Sequence, residues 1–454
     1  MSQKGQIIII AAVFMLVVVG LISSLVAYAG IQIKGHRQAV ARVLALSIAE
    51  AGIEQAIWKL NSQPGYNGES GVAYNGGAFD ISITNLSGSS KLIRAEAKVP
   101  NSSNPRGKRV VQATTTIDTT NIAFNYGVQI GEGGLEMTNS SRVIGNVYSN
   151  GNINGANSAR IQGTATVAGS SNEIREMQVD GNANAYLVVN STIGGSLTTY
   201  HLFDGTVGGN VVGTALSTCT IGGNAVYDTI FNCNVGGSST APNPDDFVAA
   251  PQLPLPITDE QIDAWEDEAE AGGVISTQSY SSGSRNLGPK KINGDLILSN
   301  TAQVVVTGTL WVTGQIRLSN SAILRLDSSY GSLSGVVLAG VDGSSSAGYI
   351  EVANSAQLLG SGTAGSYIML LSQRVGIASN AIRMSNGSGA AILYSGEGVI
   401  EINNSAALKE VTAYKLKITN NATVTYESGL ASAQFSSGPG GGWEMLDGTW
   451  QLLQ

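Results

Sequence analysis

Charge is scarce in this chain of 454 residues: 12% are Asp, Glu, Lys or Arg, and the balance is -8. No cluster of Lys and Arg is present to meet phosphates, which argues against nucleic acid as a partner. Two cysteines cannot staple a fold of this length, so burial and hydrogen bonding must hold it. Histidine is limited to His36 and His201, and there is no zinc spacing, phosphate loop or nucleophile motif. The expectation is therefore no catalytic residues, no metal site and no cofactor. Proline is rare as well, 10 residues against 58 glycines. Abundant Gly with Ser, Thr, Asn and Val points to repetitive β structure with many tight turns.

What is present begins with an apolar run. Ile7 to Ala29 carries no charge, and its 23 residues at about 1.5 Å each reach roughly 35 Å, enough to cross a bilayer core of about 30 Å. A cleaved signal peptide would be shorter, although Ala27-Tyr-Ala29 offers small residues at its end. Apolar residues continue at helical spacing through Ala49, Ile53, Ala56, Ile57 and Leu60, which predicts one long helix with a packing face near its end. Alternation then predicts strands: Phe79, Ile81, Ile83; Ile93, Ala95, Ala97, Val99; and Val111, Ala113, Thr115, Ile117. A helix on a small antiparallel sheet is the expected arrangement of residues 30–120.

The leader Met1-Ser-Gln-Lys-Gly5 before the apolar run, and the segment Ala45-Leu-Ser-Ile-Ala-Glu-Ala-Gly-Ile-Glu54 that follows it, resemble type IV pilins, specifically the N-terminus of PilX-type minor pilins. The resemblance covers about the first 120 residues. It implies that a prepilin peptidase cuts between Gly5 and Gln6, and that the partners are the inner membrane, other pilins and the pilus assembly machinery. It also implies membrane residence before assembly and a cell-surface or pilus location afterwards. One position departs from the family: Ile10 is the fifth mature residue, where major pilins carry a Glu that neutralises a neighbour's amino terminus in the apolar filament core. A subunit lacking it is expected at a filament tip, in initiation of assembly, or retained in the membrane.

After Ile122 a short pattern recurs, an apolar β-branched residue, any residue, Gly, then often Asn or Ser. It starts at Val143, Ile161, Val179, Ile193, Val207, Ile221 and Val235, in steps of 18, 18, 14, 14, 14 and 14. Periods this short suit one coil of a β-solenoid and are too small for a propeller blade or a leucine-rich repeat. Cys219 and Cys233 occupy equivalent positions in successive repeats. Stacked strands lie about 4.8 Å apart, which allows a disulfide or a ladder of buried thiols, and an oxidising compartment favours the bridge.

Residues 239–290 interrupt the pattern. Prolines at 242, 244, 251, 254 and 256 precede Thr258-Asp-Glu-Gln261, a capping box that predicts a helix to about Ala271 with Ile262, Trp265 and Ala269 facing the solenoid. The pattern resumes at Ile292, Val306 and Val312, joined by Asn-Ser-Ala-like corners at Asn300, Asn320, Asn354, Asn380, Asn404 and Asn421, read as stacked amide ladders. The apolar C-terminal run from Trp443 to Leu453 is expected to cover the last coil.

The whole reads as a mainly β protein: a leader (1–5), a transmembrane and amphipathic helix (6–62), a small antiparallel sheet (63–120), a first part of a parallel β-helix (121–238), a Pro-rich and helical insertion (239–290), and a second part with its cap (291–454). The expected function is a pilus-associated minor pilin, or a pilin-like surface protein, that displays the β-helix for adhesion to glycans or to a host or abiotic surface, or as structure. Two alternatives stay open. A membrane-anchored β-helix scaffold would need open, self-complementary coil ends. A polysaccharide-processing enzyme would need carboxylates gathered on one face, whereas Asp180, Asp204, Asp228, Asp295 and Asp327 share no repeat register.

Overall fold

The computed structural model describes residues 3–62, 66–87, 90–438, 442–446 and 448–453. Met1 and Ser2 of the leader and residues 439–441 lie outside the described residues, as do the side chains of Gln6 and Ile117. The chain divides into two compact units, one formed by residues 1–118 with 443–454, the other by residues 119–442.

In the first unit, helix α1 runs from Gln3 to Ser62. Its N-terminal half is apolar on every face and exposed, from Ile9 to Ala29. Its C-terminal third packs Ala41, Ala45, Ile48, Ala49, Ile53, Ala56 and Leu60 onto an antiparallel sheet. The sheet comprises β1 (Gly68–Tyr74), β2 (Gly77–Ser87), β3 (Ser90–Val99) and β4 (Gly107–Ile122). Phe79 opposite Ala97, Ile81 opposite Ala95, and Ile93 opposite Ala113 present the alternating face to the helix. Small residues let the two backbones approach closely. At Gly52 a Cβ would lie 3.1 Å from Ala95 and 3.3 Å from the Phe79 ring. Glu69 ties β1 to the helix by accepting from Gln55 Nε2 (2.9 Å), Lys59 Nζ (2.6 Å) and Tyr66 (2.9 Å). Burial opposes its ionisation, yet these donors hold the carboxyl below the usual range.

The C-terminal run belongs to this unit. Residues Gln451–Leu453 pair with β4, Leu452 opposite Val111, while Trp443 is buried against α1 and exchanges hydrogen bonds with Asn61. This corrects the expectation that residues 443–454 cap the solenoid: β4 offers an unpaired edge and an apolar face that Trp443 completes.

The second unit is a parallel β-solenoid. Val143, Ile161, Val179, Ile193, Val207, Ile221 and Val235 stack coil upon coil as one inward column, and all but the terminal Val235 are buried. The Gly-Gly pairs after them bring backbones into contact, so a Cβ on Gly223 would fall 2.4 Å from Asn210 Oδ1. In the second part Ile292 aligns with Val312 in one column, whereas Val306 belongs to another with Leu326.

The coils do not follow chain order from end to end. The chain enters at Val128–Met137 in the middle of the stack, winds to one end at Ser239–Thr240, crosses back, and resumes at the opposite end with Val274–Tyr280. It then winds to the middle, where Glu410–Ile418 pairs with the first strand, Leu416 opposite Leu135. The solenoid therefore resumes at residue 274, inside the segment read as insertion, and only 241–273 cross over. Helix α2 (Asp259–Ala271) is capped by reciprocal bonds between Thr258 and Gln261. Its Trp265 and Ala269 bury a second core with Trp311, Leu338, Met369 and Leu371. Strands Gly335–Ala339 and Ile368–Ser372 are consequently buried on both faces.

The amide ladder is real but in a different register. Asn157, Asn139, Asn420, Asn404, Asn386, Asn354 and Asn320 pass side-chain hydrogen bonds along the axis, with a longer link of 3.5 Å to Asn300. Each occupies a left-handed corner, φ 50° at Asn157 to 56° at Asn386. Asn420 replaces Asn421, and Asn386 replaces Asn380, which lies on strand Gly376–Met384 and binds Glu401 instead. Every ladder corner but Asn300 has two consecutive positive-φ residues, which Asn386-Gly387 supplies and Asn380-Ala381 does not.

Another row sets alternating charges in register: Arg317, Glu351, Arg383, Glu401, Lys417 and Glu136. Like charges stacked one strand apart would repel. Both the ladder and this row cross the junction between the last coil and the first, through Asn139 to Asn420 (2.8 Å) and Lys417 to Glu136 (3.9 Å), and Lys415 outside the row adds a closer pair with Glu136 (2.7 Å).

The two ends differ. The inward positions at Val274–Tyr280 and Ser284–Leu287 include Gln278, Tyr280 and Arg285, in register with Leu296, Leu298 and Val304 of the next coil. Polar and charged inward residues blunt an open edge. At the other end Ile230, Cys233 and Val235 continue the apolar columns.

Candidate binding groove

Between residues 183 and 240 the coils keep a constant length, so equivalent positions line up as rows. Asn190, Asp204, Thr218 and Asn232 turn the chain, each with φ between 46° and 51°. Two residues further on, Thr192, Thr206, Thr220 and Asn234 stand in register and point to solvent. Between these rows lie Ser191, Gly205, Cys219 and Cys233. A Cβ on Gly205 would meet Leu202 at 2.6 Å, so the position tolerates little bulk. Small residues between two polar rows leave a groove of about 610 Å³ along the solenoid axis. The volume falls within the roughly 300–1,000 Å³ of ligand sites. Cys219 and Cys233 line this floor as a disulfide, with Cα atoms 4.4 Å apart.

The strand leading into each corner supplies a further row, Val189, Phe203, Ser217 and Phe231. Leu202 and Leu216 of the same strands turn inward and are buried, while Phe203 and Phe231 are 47% and 74% exposed. Two large aromatic rings thus stand two coils apart, each one residue before a corner that lines the groove and outside the lining itself, with Ser217 between them. His201 lies on this strand, its Nε2 3.3 Å from Ser217 Oγ and its ring edge-on to Phe203.

Residues singled out in the sequence fall elsewhere. Gly5 and Gln6 lie in α1. Among the tyrosines considered for glycan contact, Tyr148 donates to Pro251 O, and burial pushes its phenol up. Tyr186 and Tyr200 stack on each other at 4.7 Å with Phe247 edge-on, and Tyr227 packs against the core. The crossing segment uses these groups as its track, with Asn150 and Gln129 binding Leu253 and Pro254. The acids are dispersed: Asp180 pairs with Arg160 (2.8 Å), Asp228 accepts from Asn243 N, Asp295 from Gln315 N and Asp327 from Ser329. Asp204 alone of these lines the groove. Phe203 and Phe231 were missed in the sequence. Their signal was available, since each immediately precedes a corner residue of the 14-residue repeat.

A second recess, about 110 Å³, lies between α2 and the solenoid and is lined by Asp259, Asp263, Asp342, Glu397, Gln373 and Tyr394. Beside it Glu266 accepts from Gln373 Nε2 at 2.5 Å, and burial pushes its carboxyl up. These carboxylates come from the helix, the loop at Asp342 and the strand Ile392–Ile402, so no repeat register exposes their meeting. Among the described residues no three His, Cys, Asp or Glu converge as a metal-binding group.

No protein-family model matches the chain, and no curated protein does. Among solved structures, the competence-associated pilin ComZ from Thermus thermophilus is similar over 91% of this chain and 96% of that chain, at 13% identity and a TM-score of 0.27. An ice binding protein from an Antarctic bacterium, Flavobacteriaceae, is similar over 66% of this chain and 82% of that chain, at 10% identity and a TM-score of 0.13.

Proposed function

We propose that the chain is a membrane-anchored, pilin-like subunit that carries its β-solenoid at the cell surface for adhesion or as structure, without catalysis of its own. The division of α1 carries this reading. One half is apolar all round and unpartnered within its unit, as a membrane span or filament-core helix requires, and the other is committed to a sheet. The Lys4-Gly5 junction supports it, as does the Ala49-Glu-Ala-Gly-Ile-Glu54 stretch, whose Gly52 seats the helix on Ala95 and Phe79. The inner membrane, other pilins and the assembly machinery are then its partners. With Ile10 in place of a carboxylate, a filament tip suits it better than the filament body.

A polymerising scaffold is disfavoured because inward Gln278, Tyr280 and Arg285 at one end do not match apolar Ile230 and Val235 at the other. A glycan-cleaving role is disfavoured because the acidic recess is far below the roughly 300 Å³ at which ligand sites begin. The test is intact mass and N-terminal sequencing from the native envelope, with and without prepilin peptidase. A chain beginning at Gln6 only when the peptidase is present is expected. A chain retaining Met1, or beginning near Gly30, overturns the proposal.

A further inference from the structure

We infer that the groove over residues 190–234 is a binding site for a neutral, extended polysaccharide of the β-1,4-linked kind, such as cellulose or chitin, an inference that rests on the display role proposed above. The first ground is shape. The corner residues recur every 14 residues without loops between them, so the groove is straight and parallel to the axis, which fits an extended polymer and not a coiled one.

The second ground is chemistry. Hydroxyl and amide groups of Asn190, Thr192, Thr206, Thr218, Thr220 and Asn234 face the groove, matching sugar hydroxyls in both donor and acceptor character. No Lys or Arg lines it, which disfavours uronate polymers and nucleic acid.

The third ground is periodicity. Phe203 and Phe231 stand two coils apart, about 9–10 Å at the strand spacing, which is the length of one disaccharide. In a β-1,4 chain successive sugars are flipped, so the same face returns at every second ring. Two exposed aromatic faces at that interval, with Ser217 opposite the intervening sugar, can each take the C–H face of a pyranose. At one side the groove runs off the terminal coil, so a long polymer can pass over it. At the other, the Arg175–Glu173 ion pair marks where the lining ends, and Asp204 is the one charged side chain within that lining.

The experiment uses the full-length protein in detergent. Depletion by microcrystalline cellulose and chitin is measured alongside titration with cellohexaose and chitohexaose. Phe231→Ala is expected to weaken binding about tenfold, and Phe203→Ala with Phe231→Ala to abolish it. Thr206→Val, which keeps the shape of the side chain, should weaken binding without touching the rings. Ile377→Ala, exposed on another coil, should leave it unchanged. Absence of binding to every neutral β-1,4 glycan overturns the inference, as does binding indifferent to the double Phe variant or binding to alginate or DNA in its place. Correct processing at Gln6 without glycan binding would sink this inference alone. Binding by a protein that keeps Met1 would sink only the display role.

Discussion

The two stretches of the solenoid are wound on the same principle and used in opposite ways. Over residues 183–240 every coil has 14 residues, each corner between Asn190 and Asn232 uses one left-handed residue, and outward side chains repeat in register on an open surface. Over residues 290–425 the steps between ladder residues run 20, 34, 32, 18 and 16, each corner after Asn300 uses two left-handed residues, and one face is buried under α2. Constant coil length produces an array of equivalent exposed groups. Variable length destroys the array but frees loops and strands to build a second core, and the Asn ladder then preserves alignment that loop length no longer enforces.

The largest test of that contrast is Trp265→Ala. Removing this buried ring should cost about 3–5 kcal/mol. By hydrogen exchange, amides of α2 and of Gly335–Ala339 should lose protection while those of Val211–Ile221 keep theirs. Equal loss in both stretches would break the comparison.

Next is Glu410, fully buried beside the second core, with Thr412 donating to Oε1 at 2.7 Å. Burial holds its carboxyl well above the usual value, with that single bond only partly offsetting it. The folded pKa exceeds the unfolded one, so its contribution to stability is fully present below the unfolded value and is lost as pH rises toward the folded value. Glu410→Gln should therefore flatten the decline in Tm above pH 4.5 and stabilise the protein near neutrality by about 1 kcal/mol. An unchanged pH slope would show that another group sets it.

Asn404→Ala removes two ladder bonds, 3.0 Å to Asn386 and 3.1 Å from Asn420, and leaves alanine at φ 51°, for an expected loss of about 1–2 kcal/mol. Asp204→Ala, at the same φ but outside the ladder, should lose the smaller share, since only the backbone preference changes. Equal losses would mean the ladder contributes nothing.

The smallest effect is expected at the junction of first and last coils. Lys417→Glu places like charges beside Glu401 and Glu136, but these groups are about 40% exposed at Lys417 and Glu136. The cost should stay below about 1 kcal/mol and shrink in high salt.

Much of this was readable in the residues. The Val and Ile column, the capping box at Thr258, the face of α2 and the packed face of α1 each follow from local spacing. Asn380 misses the ladder because it lies on a strand, and Asn421 because it is the second residue of a left-handed corner whose first, Asn420, carries the ladder bond, a backbone distinction that the trio Asn-Ser-Ala marks only in part. The groove's polar rows lay in the 14-residue repeat, but the partition of Phe203 outward and Leu202 inward needed the strand to be seen.

Local pattern, then, determined the kind of structure: periodicity names the inward residue of a coil, and hydropathy names the exposed half of α1. Tertiary structure alone decided the order of assembly. Every parallel coil offers the same backbone hydrogen bonds to any other, so nothing in a single repeat dictates that Glu410–Ile418 should meet Val128–Met137, or that the last strand should leave the solenoid for β4. Those choices depend on matching long-range partners, Lys415 with Glu136, Asn420 with Asn139 and Trp443 with Asn61, whose complementarity becomes visible only when the coils are stacked.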